Sequence, residues 1–313
     1  MWPTPTPTGR RPPALAIDEA MLVKHTAVRC IAVLGASALL SQGQELPTLV
    51  RVDVRLVEVY ATVRDEQGRY LDNLSKEQIQ VLEDGTPQDI VAFELPDTRL
   101  SCGILVDLTG SMERALPAVQ SAVLRFIDLL RDQDRVAVYA FNESLRPVQG
   151  FTEDKGAAKA AVMALRAGGA TALFDAIAGF SESVSAQPGK KAMIVFTDGA
   201  DNQSKLSASA AAARAERSGV PIHTVAQGAA LDNKDLIQVL ARIAGSTGGV
   251  QYYARRASDV DSIFRDISAD LNHAYLLAYK FPESANTGWR RIQLSVRLPE
   301  KVAIRTRKGY YPR

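Results

Sequence analysis

Asp107, Thr109 and Ser111 stand at alternate positions directly after the apolar run Ile104, Leu105 and Val106. Two more oxygen-bearing side chains occupy comparable settings further along. Thr171 follows Gly168, Gly169 and Ala170, and Asp198 closes the apolar run 192–196 within Thr197–Asp198–Gly199. The five offer carboxylate and hydroxyl oxygens but no nitrogen or sulfur, a donor set for a hard divalent cation such as Mg²⁺, Mn²⁺ or Ca²⁺. Two carboxylates would neutralise the ion, and the hydroxyls would ligate it without adding charge. Singly, each residue has a plainer role. An aspartate after a strand is commonly a turn or cap residue, Thr171 could be a helix N-cap, and Asp198 precedes a glycine. Their order and their convergence on one sheet edge point to a cation.

That convergence requires both apolar runs to be strands of one parallel sheet. Residues 104–106 and 192–196 are apolar without alternation, as strands buried on both faces are. From about 100 to 273 strand and helix patterns alternate, the signature of a doubly wound α/β sheet, whose ligands bind beyond the carboxyl ends of the strands. Helices are expected over 113–130, 154–166, 171–184, 208–217, 236–244 and 260–271. The Gly168–Gly169 pair implies a loop that approaches its neighbour closely. Asp175 falls where it would complement a helix N-terminus. Asp201 and Asn202 lie near the proposed site in sequence but outside the five. No G-x-S-x-G and no G-x-x-x-x-G-K-[ST] occurs, and no histidine accompanies the five oxygens, so a general base is not in evidence.

Both flanks read as β. Between 46 and 94, Val50, Val52, Val54 and Leu56 alternate with polar residues. The phase then slips, so that Val57, Val59, Ala61 and Val63 become the apolar set, implying a bulge or a crossing between sheets. Ser75 can cap a short helical turn, and Asp84–Gly85 joins strands 79–83 and 88–93 as a hairpin. The tail carries strand candidates at 275–281, 291–298 and 302–307. Arg305, Arg307 and Lys308 read as a solvated strand face. Neither flank can bury a face alone. The economical organisation is a leader over 1–43, a β-sandwich contributed by 44–98 and 274–313, and an α/β unit over 99–273 inserted into it.

The chain has 313 residues, enough for two cores, and 46% hydrophobic and 23% charged residues place it among globular proteins. Its formal charge of +2 arises in the first 43 residues, so the remainder is balanced and suggests no nucleic acid or anionic membrane partner. With Met21 taken as the start, Lys24 and Arg29 form a charged region before the apolar run 31–40, and Ser41–Gln42–Gly43 offers a cleavage site. That is a secretory signal pattern, too short to span a bilayer, and it implies a periplasmic or secreted product. No span is expected in the mature chain. Cys102 reads as a small buried hydrophobe, and Cys30 falls in the leader. The three histidines, His25, His223 and His273, are too scattered for a zinc site.

On these residues the chain resembles the von Willebrand factor A-type family, built on a metal-ion-dependent adhesion site (MIDAS): D-x-S-x-S, then a threonine, then an aspartate. Asp107–Leu108–Thr109–Gly110–Ser111 matches the first element with Thr109 replacing a serine, which retains the hydroxyl. Thr171 matches the threonine and Asp198 the aspartate. The flanks, with the Glu83–Asp84–Gly85 turn and the ending Arg307–Lys308–Gly309–Tyr310–Tyr311, are similar to an exported bacterial subgroup called VWFA-related, seen especially in acidobacteria. The resemblance implies a non-enzymatic, metal-dependent protein-binding or adhesion module whose cation takes its last ligand from an Asp or Glu carboxylate of a partner protein. A structural envelope or matrix component with a vestigial metal site is the alternative, and a metal-assisted hydrolase a more distant one.

Overall fold

The computed structural model describes residues 55–281 and 288–312. The leader, the signal pattern and the alternation before Arg55 lie outside the described residues. In chain order the strands are β1 (Leu56–Arg64), β2 (Ile79–Glu83), β3 (Thr86–Gln88), β4 (Ile90–Glu94), β5 (Leu100–Asp107), β6 (Arg135–Phe141), β7 (Leu145–Thr152), β8 (Lys190–Thr197), β9 (Ile222–Gln227), β10 (Gln251–Ala254), β11 (Tyr275–Lys280), β12 (Arg290–Val296), β13 (Ala303–Thr306) and β14 (Gly309–Tyr310). The helices are α1 (Leu116–Leu129), α2 (Lys155–Met163), α3 (Leu173–Ser185), α4 (Ala208–Ser218), α5 (Lys234–Thr247) and α6 (Ala257–Asn272).

A six-stranded sheet in the order β10-β9-β8-β5-β6-β7 forms the centre, parallel except for the antiparallel edge strand β7. β5 and β8 are buried along their whole lengths, because helices cover both faces. Facing one side, Ile104 and Val106 pack with α1 and α6 residues such as Phe126 and Phe264. Facing the other, Leu105 packs with Ile177 and Phe180 of α3. Gly103 lets α3 come close, since a Cβ there would lie 2.6 Å from the Phe180 ring. α1 begins at Leu116 rather than 113, because Pro117 suits the first turn of a helix and not its interior.

Two antiparallel sheets, β13-β1-β11-β4 and β14-β12-β2-β3, pack face to face around Val59, Val63, Val81, Leu277 and Ile292. Each contains strands from before and after the α/β segment: β1 pairs with β11 and β13, and β2 with β12. The α/β unit is thus inserted in the sandwich. Asp84 and Gly85 both adopt positive φ (49° and 85°), the conformation of a tight hairpin turn between β2 and β3. The expected single strand 88–93 is divided. β3 and β4 belong to opposite sheets, so a crossing occurs around Asp89, whereas the stretch leading into the phase slip at Leu56 lies outside the described residues. Glu83 faces the sandwich interior, where its carboxylate accepts from Tyr279 (2.5 Å), Tyr310 (2.8 Å) and Arg290 (2.7 Å).

β1 is buried on both faces over most of its length, because its outer face meets the α/β unit. The Lys191 N–H donates to the Tyr60 hydroxyl at 3.2 Å, and the Lys191 ammonium pairs with Glu58 at 2.8 Å. Lys190 is the seam of the insertion. Its ammonium donates to the Pro96 carbonyl (2.7 Å), just before β5, and to the Leu271 carbonyl (3.3 Å), at the end of α6. Burial lowers its pKa to about 8.

The tail departs from expectation. Arg305 and Arg307 do not form a solvated face. Arg305 reaches the Gly248 carbonyl, Thr62 and Asp270, and Arg307 is buried. The β13 segment lies against the carboxyl ends of α4 and α5, where the helix dipoles favour cations.

Candidate functional site

β5 and β8 are parallel and adjacent, with Val106 opposite Phe196, so Asp107 and Thr197 emerge side by side at the same edge. Asp107 is fully buried. Its Oδ1 accepts the Thr109 N–H at 2.9 Å, the bond that turns the chain sharply after the strand, and its Oδ2 accepts the Thr197 hydroxyl at 2.7 Å. The turn brings Thr109 and Ser111 to the same side, their hydroxyl oxygens 3.1 Å apart. Ser111 donates to Asp198 Oδ1 at 2.8 Å, so the proton shared with Thr109 is Thr109's own. Asp107, Thr109, Ser111 and Asp198 therefore form one hydrogen-bonded run, joined through the Thr109 N–H at one end and through hydroxyls at the other.

Thr171 is placed beside this run by its backbone. Its loop is tied to the first by Gly168 N–H to the Leu108 carbonyl (2.6 Å) and by Gly110 N–H to the Gly169 carbonyl (3.2 Å). Gly169 adopts φ +94° and sits so near Asn142 that a Cβ would meet the Asn142 amide at 3.0 Å, the close approach expected of the glycine pair. The Thr171 hydroxyl makes no hydrogen bond to the other four residues. Nor does Thr171 cap α3. That helix receives its capping bonds from the following loop, where Asp201 accepts the Phe174 N–H and the Ser204 hydroxyl accepts the Asp175 N–H, both at 3.0 Å.

Three residues outside the five hold the site in shape. Thr197 fixes Asp107. Asn202 accepts the Thr171 N–H through Oδ1 (2.9 Å) and donates its own N–H to the Thr171 carbonyl (2.9 Å). Asp175, in the first turn of α3, does more than complement the helix: its carboxylate accepts the N–H groups of Lys205 and Leu206 at 2.9 Å, anchoring the 199–206 loop. Thr197 was legible from the parallel register alone. Asn202 and Asp175 act through a loop crossing that no local pattern encodes.

The electrostatics of the site suit a cation. Burial raises the pKa of Asp107, partly offset by the Thr109 N–H and the Thr197 hydroxyl, with the Asp198 charge adding to the rise. Burial likewise raises Asp198, against the bond from Ser111. Among the described residues neither carboxylate has an ion-pair partner, and their hydrogen-bond donors are hydroxyls and a backbone N–H. Buried carboxylates without a counter-charge are costly, and a divalent ion bound among these oxygens would remove that cost. The residues present thus fit a hard divalent cation.

The model of the von Willebrand factor type A domain matches residues 103–268, more than half of the chain, and the chain belongs to that family. Among solved structures it is similar to a von Willebrand factor type A protein from Catenulispora acidiphila, at 17% identity over 80% of this chain and 72% of that one, with a TM-score of 0.50. Proximal thread matrix protein 1 from the mussel byssus, solved with zinc occupying its MIDAS motif, is similar at 18% identity and a TM-score of 0.50. That alignment covers 59% of this chain and 49% of the byssus protein. The D319A mutant of the PilB minor pilin from Streptococcus sanguinis aligns at 14% identity and a TM-score of 0.47, over 56% of this chain and 62% of the pilin. This chain thus spans less than two thirds of the byssus and pilin proteins. A search of curated protein sequences finds no match.

Proposed function

We propose that this chain is a metal-dependent protein-binding module of an exported bacterial protein of the VWFA-related type. In this reading Asp107, Thr109, Ser111, Thr171 and Asp198 hold Mg²⁺, Mn²⁺ or Ca²⁺. The observation that carries it is the hydrogen-bonded run from Asp107 to Asp198, whose two buried carboxylates have no basic partner among the described residues. When bound, the cation supplies attraction for one further anionic oxygen, which in this reading is an Asp or Glu carboxylate of a partner protein. The chain's own residues do the positioning: Thr197 and the Thr109 N–H orient Asp107, Ser111 links Thr109 to Asp198, and Asn202 fixes the Thr171 backbone.

Titration calorimetry with Mg²⁺, Mn²⁺, Ca²⁺ and Zn²⁺, paired with thermal melts in each ion and in chelator, tests the metal. An ion at 100 times its Kd should stabilise the fold by about 2.7 kcal/mol. Asp107→Ala should stay folded and show neither heat nor stabilisation. A folded wild-type chain that responds to none of the four ions would sink the reading. For the partner, a pull-down from bacterial envelope extract in Mg²⁺ is compared with one in chelator, and binding that survives chelation rules out a cation bridge. Metal-dependent turnover across a hydrolase panel would instead favour an enzyme.

A further inference from the structure

Arg307 follows β13 and is only 6% exposed, yet its side chain has no hydrogen-bond acceptor and no ion pair among the described residues. Its guanidinium stacks over the Tyr310 ring, 5.2 Å from the centroid, and Nη1 lies beside Gly219 at the carboxyl end of α4. Stacking and a helix dipole both favour a cation, but neither occupies the five N–H donors of a guanidinium. Glu58 and Glu216 are close enough to sense the charge, though neither comes within ion-pair distance. Glu58 is engaged by Lys191, and burial holds the Glu216 carboxyl toward its neutral form. A buried charge left in this state is destabilising, and such groups are normally paired.

Arg307 lines a cleft of about 470 Å³ between the sandwich and the carboxyl ends of α3 and α4. That volume is within the range of small-molecule sites. Leu56, Phe281, Tyr310 and Tyr311 supply apolar and aromatic walls. The cleft lies at the sandwich side of the α/β sheet, against the ends of helices that begin at the Asp107 edge, so it is separate from the candidate metal site. We propose that this cleft binds a small organic anion, its carboxylate or phosphate head on Arg307 and its apolar body between Leu56, Phe281 and Tyr311.

The test uses the full chain, with Trp289 as reporter, since its indole packs edge-on against Tyr311 at 5.2 Å. Benzoate carries head and ring, inorganic phosphate the head alone, and benzyl alcohol the ring alone. Benzoate should change the tryptophan emission saturably and bind most tightly of the three. Arg307→Met should weaken benzoate roughly tenfold to hundredfold, as loss of a charge-assisted bond implies. Without ligand, Arg307→Met should melt at or above the wild-type temperature, because an unpaired buried charge is replaced by an apolar side chain. Leu56→Glu, a substitution at the exposed rim that leaves the core intact, should also abolish benzoate binding by repulsion. Benzyl alcohol or phosphate binding as tightly as benzoate would overturn the assignment. So would benzoate binding unchanged in Leu56→Glu, or unchanged in Arg307→Met, which would make Arg307 a structural residue.

Discussion

His223 on β9 is fully buried, and neither ring nitrogen has a hydrogen-bond partner among the described residues. It borders a cavity of about 20 Å³, room for one water molecule, shared with Lys190, Asp270 and Arg305. Asp270 is 3.8 Å away but is itself engaged by Arg305, and Tyr252 stacks nearby. Burial is the dominant influence and lowers the His223 pKa to about 4. The unfolded chain would titrate near the ordinary value of about 6.5. Between these values the unfolded state binds more protons than the folded one, so stability falls as pH drops from about 6.5 toward 4. The loss works out at about 2 kcal/mol between pH 7.5 and 5, and about 3 kcal/mol by pH 4. Urea denaturation at pH 7.5, 6, 5 and 4.5 measures it, with His223→Leu removing this contribution and leaving the acidic residues in place. The variant should match wild type within about 1 kcal/mol at pH 7.5, since it also removes two unpaired polar atoms, and should lose less stability on acidification. Parallel pH profiles for the two proteins would refute the reasoning.

Gly103→Ala would drive a methyl into Phe180 and Val184 and displace α3 from β5, costing about 2 kcal/mol in denaturant melts. Asn202→Ala leaves the Thr171 N–H without its acceptor and should weaken Mg²⁺ roughly tenfold by calorimetry, with the fold retained. Arg290→Ala leaves the Glu83 carboxylate buried without its counter-charge and should cost roughly 3–5 kcal/mol, read from the urea midpoint.

How much of this was legible in sequence depends on the range of each interaction. The uninterrupted apolar runs before Asp107 and Asp198 report strands buried on both faces, and that alone places the two carboxylates at one edge. The insertion was legible because neither β flank could close a core. Helix starts were less so: α1 waits for Pro117, and the capping of α3 comes from Asp201 and Ser204 rather than from Thr171 beside it. The sheet crossing near Asp89 leaves no mark in the pattern, since β3 and β4 are each too short to show a period. Arg307 was misread for a related reason. Charge in a short alternating strand suggests solvent, and the helix ends that cover it are distant in the chain.

Mechanically, β5 is the axle of the molecule. Asp107 stands at one end, and at the other Leu100 joins the sandwich through the segment that Lys190 clasps. A load applied at the Asp107 end and resisted at the sandwich runs along the strand axis. The load is therefore carried by the covalent backbone of one extended strand, and little of it passes into the hydrogen-bond ladders to β6 and β8. Because Lys190 grips both the incoming and the outgoing chain, a pull on either sandwich connection is shared at one buried point. The sheet on either side then serves to keep that strand straight and dry, not to carry the load.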